Sequence, residues 1–375
     1  MARRARTTRP FFALTALAMA SALQRTVPLW AQHFVRDTGL LGVVADAATI
    51  VTAGAALAAR PAVLAKLVHA SATARIGVSY GPLPQHRLDI FAAPSDAHEP
   101  PVVLFVHGGA WGSGSRLIYR LVGHRLSAEG FTCILVGYRR YPRASIDEQV
   151  DDVGLALRWA AESAEFGGRP RHLWGHSSGA HVCAMSVLRR AQTRQAPLCD
   201  SFTGVAGVYN IASHFEFERG RGVHEVSPMK PAAGGPAGFA SASPATIASQ
   251  LLADQAVLLP HVLLVHGTDD STVPYESSVR MAEALRGAGV REVECVVLLE
   301  KGHADFMLEL SGLVAERSFA QLANPEMVHV SGQAASAVGG MAMRTIDPIL
   351  ELMHRSASER QTGPSSSPGP RRSKL

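Results

Sequence analysis

From Arg87 onward the chain alternates short, apolar, β-branched runs with longer amphipathic ones, a pattern that few folds can accommodate. Arg87 to Phe91 (RLDIF), Val102 to Val106 (VVLFV), Thr132 to Val136 (TCILV), His172 to Trp174, Gly204 to Val208 (GVAGV), Val262 to Val265 (VLLV) and Val293 to Leu299 (VECVVLL) are expected as strands. Leu117 to Ala128, Ile146 to Glu162, Gly179 to Arg190, Ser277 to Arg286 and Ala304 to Leu322 are expected as helices. Runs this continuously apolar suit strands buried on both faces. The expected class is therefore α/β, with a mostly parallel central sheet covered by helices on both sides. The stretch from Asn210 to Gln255, rich in Gly, Pro, Ala and Ser, interrupts the alternation. It is expected as a small cap excursion over the carboxyl edge of the sheet, where ligands bind in such folds.

The flanks have a different texture. The 375 residues carry a formal charge of +5, which resembles a nucleic-acid signal until the charges are placed along the chain. Residues 1–36 contain Arg3, Arg4, Arg6, Arg9, Arg25 and Arg36 and no acid, a local +6. Residues 355–375 contain Arg355, Arg360, Arg371, Arg372 and Lys374 against Glu359, a local +4, which leaves residues 37–354 at −5. A mildly acidic body argues against a nucleic-acid partner, and the basic ends point to targeting or membrane-surface roles. The expected organisation is a basic and apolar amino-terminal targeting or membrane-associated region (1–75), an α/β domain (76–354) and a disordered tail (355–375). Pro10 to Leu23 is apolar for 14 residues, short of the roughly 20 that a span needs. Gly39 to Ala59 has the length but contains Asp46. A charge inside a bilayer costs a few kcal/mol, so spanning, embedding and packing on the domain all remain open. The terminal Ser373-Lys374-Leu375 reads as a peroxisomal address, with an import receptor as its partner. Cys133, Cys183, Cys199 and Cys295 form no CxxC pair. They are expected as buried small hydrophobes in a reduced compartment, with no metal site.

The chemistry is concentrated where strands end. Gly175-His176-Ser177-Ser178-Gly179 sits between the strand HLW and the helical AHVCAMSVL. A serine in G-x-S-x-G at a strand-to-helix turn is held with its hydroxyl exposed, so Ser177 is the expected nucleophile. The strand VVLFV runs into His107-Gly108-Gly109-Ala110-Trp111. Such a loop turns backbone N–H groups toward a substrate, so the amides of Gly108, Gly109 and Ala110, with that of Ser178, are the candidate oxyanion donors. Asp269 and Asp270 follow VLLVHGT; Asp270 is preferred as the carboxylate that orients a histidine, with Asp269 as a solvated turn residue. His303, in Lys301-Gly302-His303 after the last strand, is the expected general base. The chain order Ser177, Asp270, His303 is that of α/β-hydrolases. His181 is expected as packing, and Trp111, His176 and His214 as substrate-binding or neighbouring groups. No cofactor is required.

The residues that carry this chemistry also resemble a known family. YGPLPQHRLDIF, HGGAW, YRRYP, the Asp151-Asp152 pair, EFGGRPRHLWGHSSGAHV, SHFEFERGRGVHEVSP, HGTDDSTVP and KGHADF are similar to motifs of the isoprenylcysteine α-carbonyl methylesterases, across roughly Gly77 to Leu310. The resemblance implies an α/β-hydrolase fold and hydrolysis of the methyl ester of a prenylated cysteine. It also implies membrane association in the endoplasmic reticulum or Golgi, in conflict with the peroxisomal tail. The HGG-x-W loop and the triad look like those of kynurenine formamidases as well, which makes an arylformamidase the first alternative. A peroxisomal lipase and a non-catalytic binding protein of the same fold are the others.

Overall fold

In a computed structural model that describes residues 28–58, 61–94, 99–312 and 329–331, the apolar runs form one nine-stranded sheet. The strands are β1 (Arg75–Ser79), β2 (Arg87–Phe91), β3 (Val102–Val106), β4 (Thr132–Val136), β5 (Arg171–His176), β6 (Ser201–Val205), β7 (His261–Gly267), β8 (Val293–Leu298) and β9 (His329–Ser331), in the spatial order 1-2-4-3-5-6-7-8-9. From β4 through β8 every neighbouring pair is parallel, and the β1–β2, β2–β4 and β8–β9 pairs are antiparallel. Every residue of β3, β4, β5, β6 and β8 is buried, as continuous apolar runs require of parallel strands.

Side chains along each strand alternate between two cores. Val102, Leu104 and Val106 face a core shared with α5 (Ile146–Glu162), α6 (Ser178–Gln192) and α11 (Glu276–Gly287). Val103 and Phe105 face a second core shared with α4 (Arg120–Ala128) and α12 (Asp305–Leu310). Ser145 and Glu148 start α5 with a reciprocal capping box, which satisfies two amides that the first turn of a helix leaves free. Between β6 and β7 the chain forms α7 (Ile211–Gly220), α8 (Met229–Ala232), α9 (Pro244–Ser249) and α10 (Ala253–Ala256). Before β1 come α1 (Leu29–Asp37), α2 (Leu40–Ala58) and α3 (Pro61–Thr73).

Two expectations need correction. The sixth strand is Ser201–Val205, not Gly204 to Val208. Ser201 is buried nonetheless, with its Oγ 2.8 Å from His172 Nδ1, and Ala206 at φ 51° ends the strand. The last expected helix is Asp305–Leu310 among the described residues, and the remainder of Ala304 to Leu322 is described only to Gly312. All four cysteines are buried thiols. Gly39 to Ala59 is helical over Leu40–Ala58, and among the described residues no helix is long and apolar enough to cross a membrane. Pro10 to Leu23 and the tail ending in Ser373-Lys374-Leu375 lie outside the described residues.

Candidate active site

The turn from β5 into α6 places Ser177 at φ 56° and ψ −124°, a conformation that side chains rarely adopt and that only a well-braced turn maintains. The bracing is visible in its two glycines. A Cβ on Gly175 would lie 2.6 Å from Ala180 Cα, and one on Gly179 would lie 2.3 Å from the Val106 carbonyl oxygen. The first glycine lets the helix close onto its own strand, and the second lets it close onto β3. The Ser177 amide donates to Val205 O at 2.9 Å and ties the turn to β6.

Asp270 and His303 come from the loops after β7 and β8 and meet at this turn. His303 Nε2 lies 2.9 Å from Ser177 Oγ, and His303 Nδ1 lies 2.7 Å from Asp270 Oδ2. Asp270 is fully engaged. Oδ1 accepts from the amides of Thr272 (2.8 Å) and Val273 (2.9 Å), and Oδ2 also accepts from His266 Nε2 at 3.1 Å. Burial alone would raise this carboxyl, but the imidazoles of His303 and His266 outweigh burial and hold it well below the usual carboxylate range. The ionised carboxylate fixes the proton of His303 on Nδ1, so the Nε2 lone pair faces the Ser177 hydroxyl. Asp269 is exposed and stands outside the chain of hydrogen bonds that links Ser177 to Asp270.

The loop after β3 lies directly against the elbow. A Cβ on Gly108 would lie 2.9 Å from both His176 O and Ser177 Cβ, so only glycine fits there. Gly109 at φ 139° and Ala110 at φ 50° turn the backbone over, and the turn is closed by the Ser113 amide donating to Gly109 O at 2.8 Å. Gly108, Gly109 and Ala110 line the same cavity as Ser177 and His303. Ser178 is the first residue of α6, where the helix terminus presents amides and a partial positive charge.

The three candidate substrate contacts separate. His176 lines the cavity. Its Nε2 lies 3.0 Å from the His303 carbonyl oxygen and its Nδ1 3.2 Å from Tyr119 Oη, so it braces the backbone of the base. Burial, with the nearby His303, pushes His176 down to about 3 and keeps it neutral. Trp111, expected at the substrate, is instead buried beneath the loop, where its Nε1 donates to His181 Nδ1 at 3.1 Å. Its φ of 60° sends the chain inward after Ala110. His214 is also buried and sits behind the cavity wall, with Nε2 3.6 Å from Glu218 Oε1.

Sequence reading did not single out His266 or Glu218. His266 repeats the Val-His-Gly signature of the loop after β3, the one signal that could have flagged it. Glu218, on α7, lines the cavity; Oε1 accepts from Ser227 Oγ at 2.9 Å, and Oε2 is buried without a hydrogen-bond partner among the described residues. Burial pushes its carboxyl up to about 8. The cavity measures about 620 Å³, with Leu41, Ala45, Leu121, Val226 and Met307 among its apolar walls. Among the described residues no group of three or more His, Cys, Asp or Glu side chains is placed to hold a metal ion.

The chain is similar to known proteins in sequence and in fold. A family model described as BD-FAE matches residues 88–285. The chain is 33% identical over 247 residues to a rice (Oryza sativa subsp. japonica) protein named probable isoprenylcysteine alpha-carbonyl methylesterase ICME, covering 62% of this chain and 58% of that one. It is 29% identical over 250 residues to isoprenylcysteine alpha-carbonyl methylesterase ICME of Arabidopsis thaliana, covering 63% and 57%. It is 30% identical over 266 residues to esterase LipC of Mycobacterium tuberculosis, covering 66% and 64%. The chain thus spans about three-fifths of the length of the curated relatives it matches. The structure of esterase B from Lactobacillus Rhamnosis matches with a TM-score of 0.57 at 16% identity, covering 84% of this chain and 98% of that one, a likeness of fold.

Proposed function

The chain belongs to the BD-FAE family of the α/β-hydrolase superfamily, and from that premise we propose that it is a serine carboxylesterase whose substrate is the methyl ester of a prenylated cysteine. The observation that carries the chemistry is the hydrogen-bonded chain from Ser177 Oγ through His303 to Asp270, at 2.9 and 2.7 Å. His303 Nε2 takes the Ser177 proton as Oγ attacks the ester carbonyl carbon. The charge that develops on the carbonyl oxygen is held by amides of the Gly108–Ala110 loop and of Ser178, each such donor typically contributing 10² to 10³ in rate. As the tetrahedral adduct collapses, the alkoxide leaves with the proton from His303 as methanol. Water then attacks the acyl-enzyme, giving its proton to His303, and Ser177 regains a proton as the free acid departs. Asp270 stays ionised throughout and stabilises the imidazolium.

The prenylcysteine assignment is supported by the names of the plant relatives and by the apolar cavity beside Ser177, which suits a long hydrocarbon substituent. Leu29, Phe34, Val43, Val51, Leu64 and Val68 are exposed on α1, α2 and α3. That distribution supports association with a membrane surface, where such a substrate concentrates. The test is fluorophosphonate labelling with and without a farnesylcysteine methyl ester competitor. Labelling at Ser177, lost in Ser177→Ala and slowed by the competitor, is expected. Faster turnover of N-formylkynurenine than of any prenylcysteine ester would overturn the substrate assignment, and unchanged ester hydrolysis by Ser177→Ala would overturn the chemistry.

A further inference from the structure

Helix α2 has one ionisable side chain, Asp46, in an otherwise apolar sequence. We propose that Asp46 is a positioning residue for the oxyanion hole, which makes α2, a helix that precedes the first strand, a working part of the ester-hydrolysing site. The proposal rests on the serine-esterase reading above.

Three contacts carry it. First, Asp46 Oδ1 accepts the Gly114 amide at 2.6 Å, and Oδ2 accepts Arg140 Nη1 at 2.6 Å. A hydrogen bond to an ionised acceptor is about twice as strong as a neutral one. Second, Gly114 transmits position to the catalytic loop. It sits at φ 86°, and a Cβ there would lie 2.0 Å from Gly108 O and 2.9 Å from His107 Nδ1. Gly114 is thus in backbone contact with the residue that itself abuts Ser177 Cβ. Third, α2 approaches the same loop backbone to backbone, since a Cβ on Gly42 would lie 2.3 Å from the Gly112 carbonyl oxygen. The loop is gripped from its other side as well, where the Tyr141 amide donates to Trp111 O at 2.8 Å.

The pairing with Arg140 answers an electrostatic objection. A bare carboxylate near the hole would oppose the charge that develops on the substrate oxygen. With a guanidinium on its second oxygen, Asp46 supplies the acceptor for Gly114 while much of its charge is offset. A neutral amide at this position would keep an acceptor for Gly114 but leave Arg140 facing a donor, so partial function is expected from Asp46→Asn.

The test uses the full chain and a small activated ester, p-nitrophenyl acetate, which does not depend on the apolar cavity. An outright missing oxyanion donor costs 10² to 10³ in kcat, and a loosened one is expected to cost about tenfold. Asp46→Ala should therefore lower kcat about tenfold with KM changed less than twofold, and Asp46→Asn should recover part of the loss. Gly42→Ala, which forces the helix away from Gly112 without touching Asp46, should show the same signature and decides the matter if Asp46→Ala does not fold. A fall in melting temperature with kcat unchanged, or a rise in KM alone, would mean that α2 merely packs or walls the cavity, and the proposal would be wrong. If the unaltered chain neither hydrolyses the ester nor labels at Ser177, the esterase reading fails instead.

Discussion

Asp270→Asn is the substitution whose consequence follows most directly from the geometry. Oδ1 of Asp270 accepts two backbone N–H groups, from Thr272 at 2.8 Å and Val273 at 2.9 Å. The asparagine carbonyl must take that place, because an NH₂ there would face two donors. Its NH₂ is then forced into the position of Oδ2, 2.7 Å from His303 Nδ1 and 3.1 Å from His266 Nε2. His303 can accept from it only by giving up the Nδ1 proton, and the proton that moves to Nε2 points at Ser177 Oγ, 2.9 Å away. The imidazole keeps its place and loses its basic lone pair. Trapping the wrong tautomer costs about 10⁴ in kcat, equivalent to about 5.4 kcal/mol of barrier. The assay is p-nitrophenyl butyrate hydrolysis, with circular dichroism to confirm folding and active-site titration to count competent serines. A loss of less than tenfold in a folded variant would show that Asp270 does not set the tautomer of His303, and the order of roles assigned here would be wrong.

Two other changes test neighbouring parts of the site. Gly108→Ala places a methyl 2.9 Å from Ser177 Cβ and His176 O, so kcat for small esters should fall by about 10² as the oxyanion loop is pushed off the elbow; activity within threefold of the unaltered chain would remove Gly108 from the hole. Glu218, raised by burial to about 8 against the opposing Ser227 hydroxyl and Arg221 guanidinium, and with His214 beside it, holds its proton more tightly folded than unfolded. Its contribution to stability is therefore complete below the ordinary glutamate value and is lost as pH rises through about 8. Thermal melting of the unaltered chain should fall between pH 6 and pH 9 more steeply than that of Glu218→Gln, and parallel curves would mean that Glu218 is not neutral in the fold.

The triad was legible in the sequence because each member belongs to a short motif that follows a strand, and strand order fixes where those motifs converge. Ser177, Asp270 and His303 each sit within a few residues of a buried apolar run, so local pattern and global topology carry the same information. The residues that escaped lack that property. Trp111 follows one glycine and one alanine at positive φ, and no periodicity indicates which way a side chain points after such a turn. The start of β6 was obscured because Ser201 and Thr203 look like turn residues until the imidazole of His172 is seen beside Ser201. Asp46 looked costly in an apolar helix because both of its partners, Gly114 and Arg140, are far along the chain. A charge that hydropathy marks as misplaced is, in three dimensions, the contact that docks the helix.

Geometry decides which histidine can act as the base. His107, His176, His181 and His214 all lie near the site, and burial pushes them down to about 3, 3, 4 and 3, so each is neutral in the fold. Three of them have hydrogen bonds that fix backbone. His107 Nδ1 lies 2.9 Å from Gly108 O, His176 Nε2 3.0 Å from His303 O, and His181 Nε2 2.8 Å from Ala242 O. His266, buried at the end of β7 as His107 is buried after β3, points one nitrogen at Asp270 and the other at Ser278 Oγ, 2.8 Å away. Both Val-His-Gly sequences thus end a parallel strand with an imidazole that holds the following loop in place. Of these rings, only that of His303 has one nitrogen on a carboxylate and the other on the elbow serine. A second histidine could replace it only by leaving a buried position and a hydrogen bond that shapes the site, so removing His303 should not be rescued from within the fold.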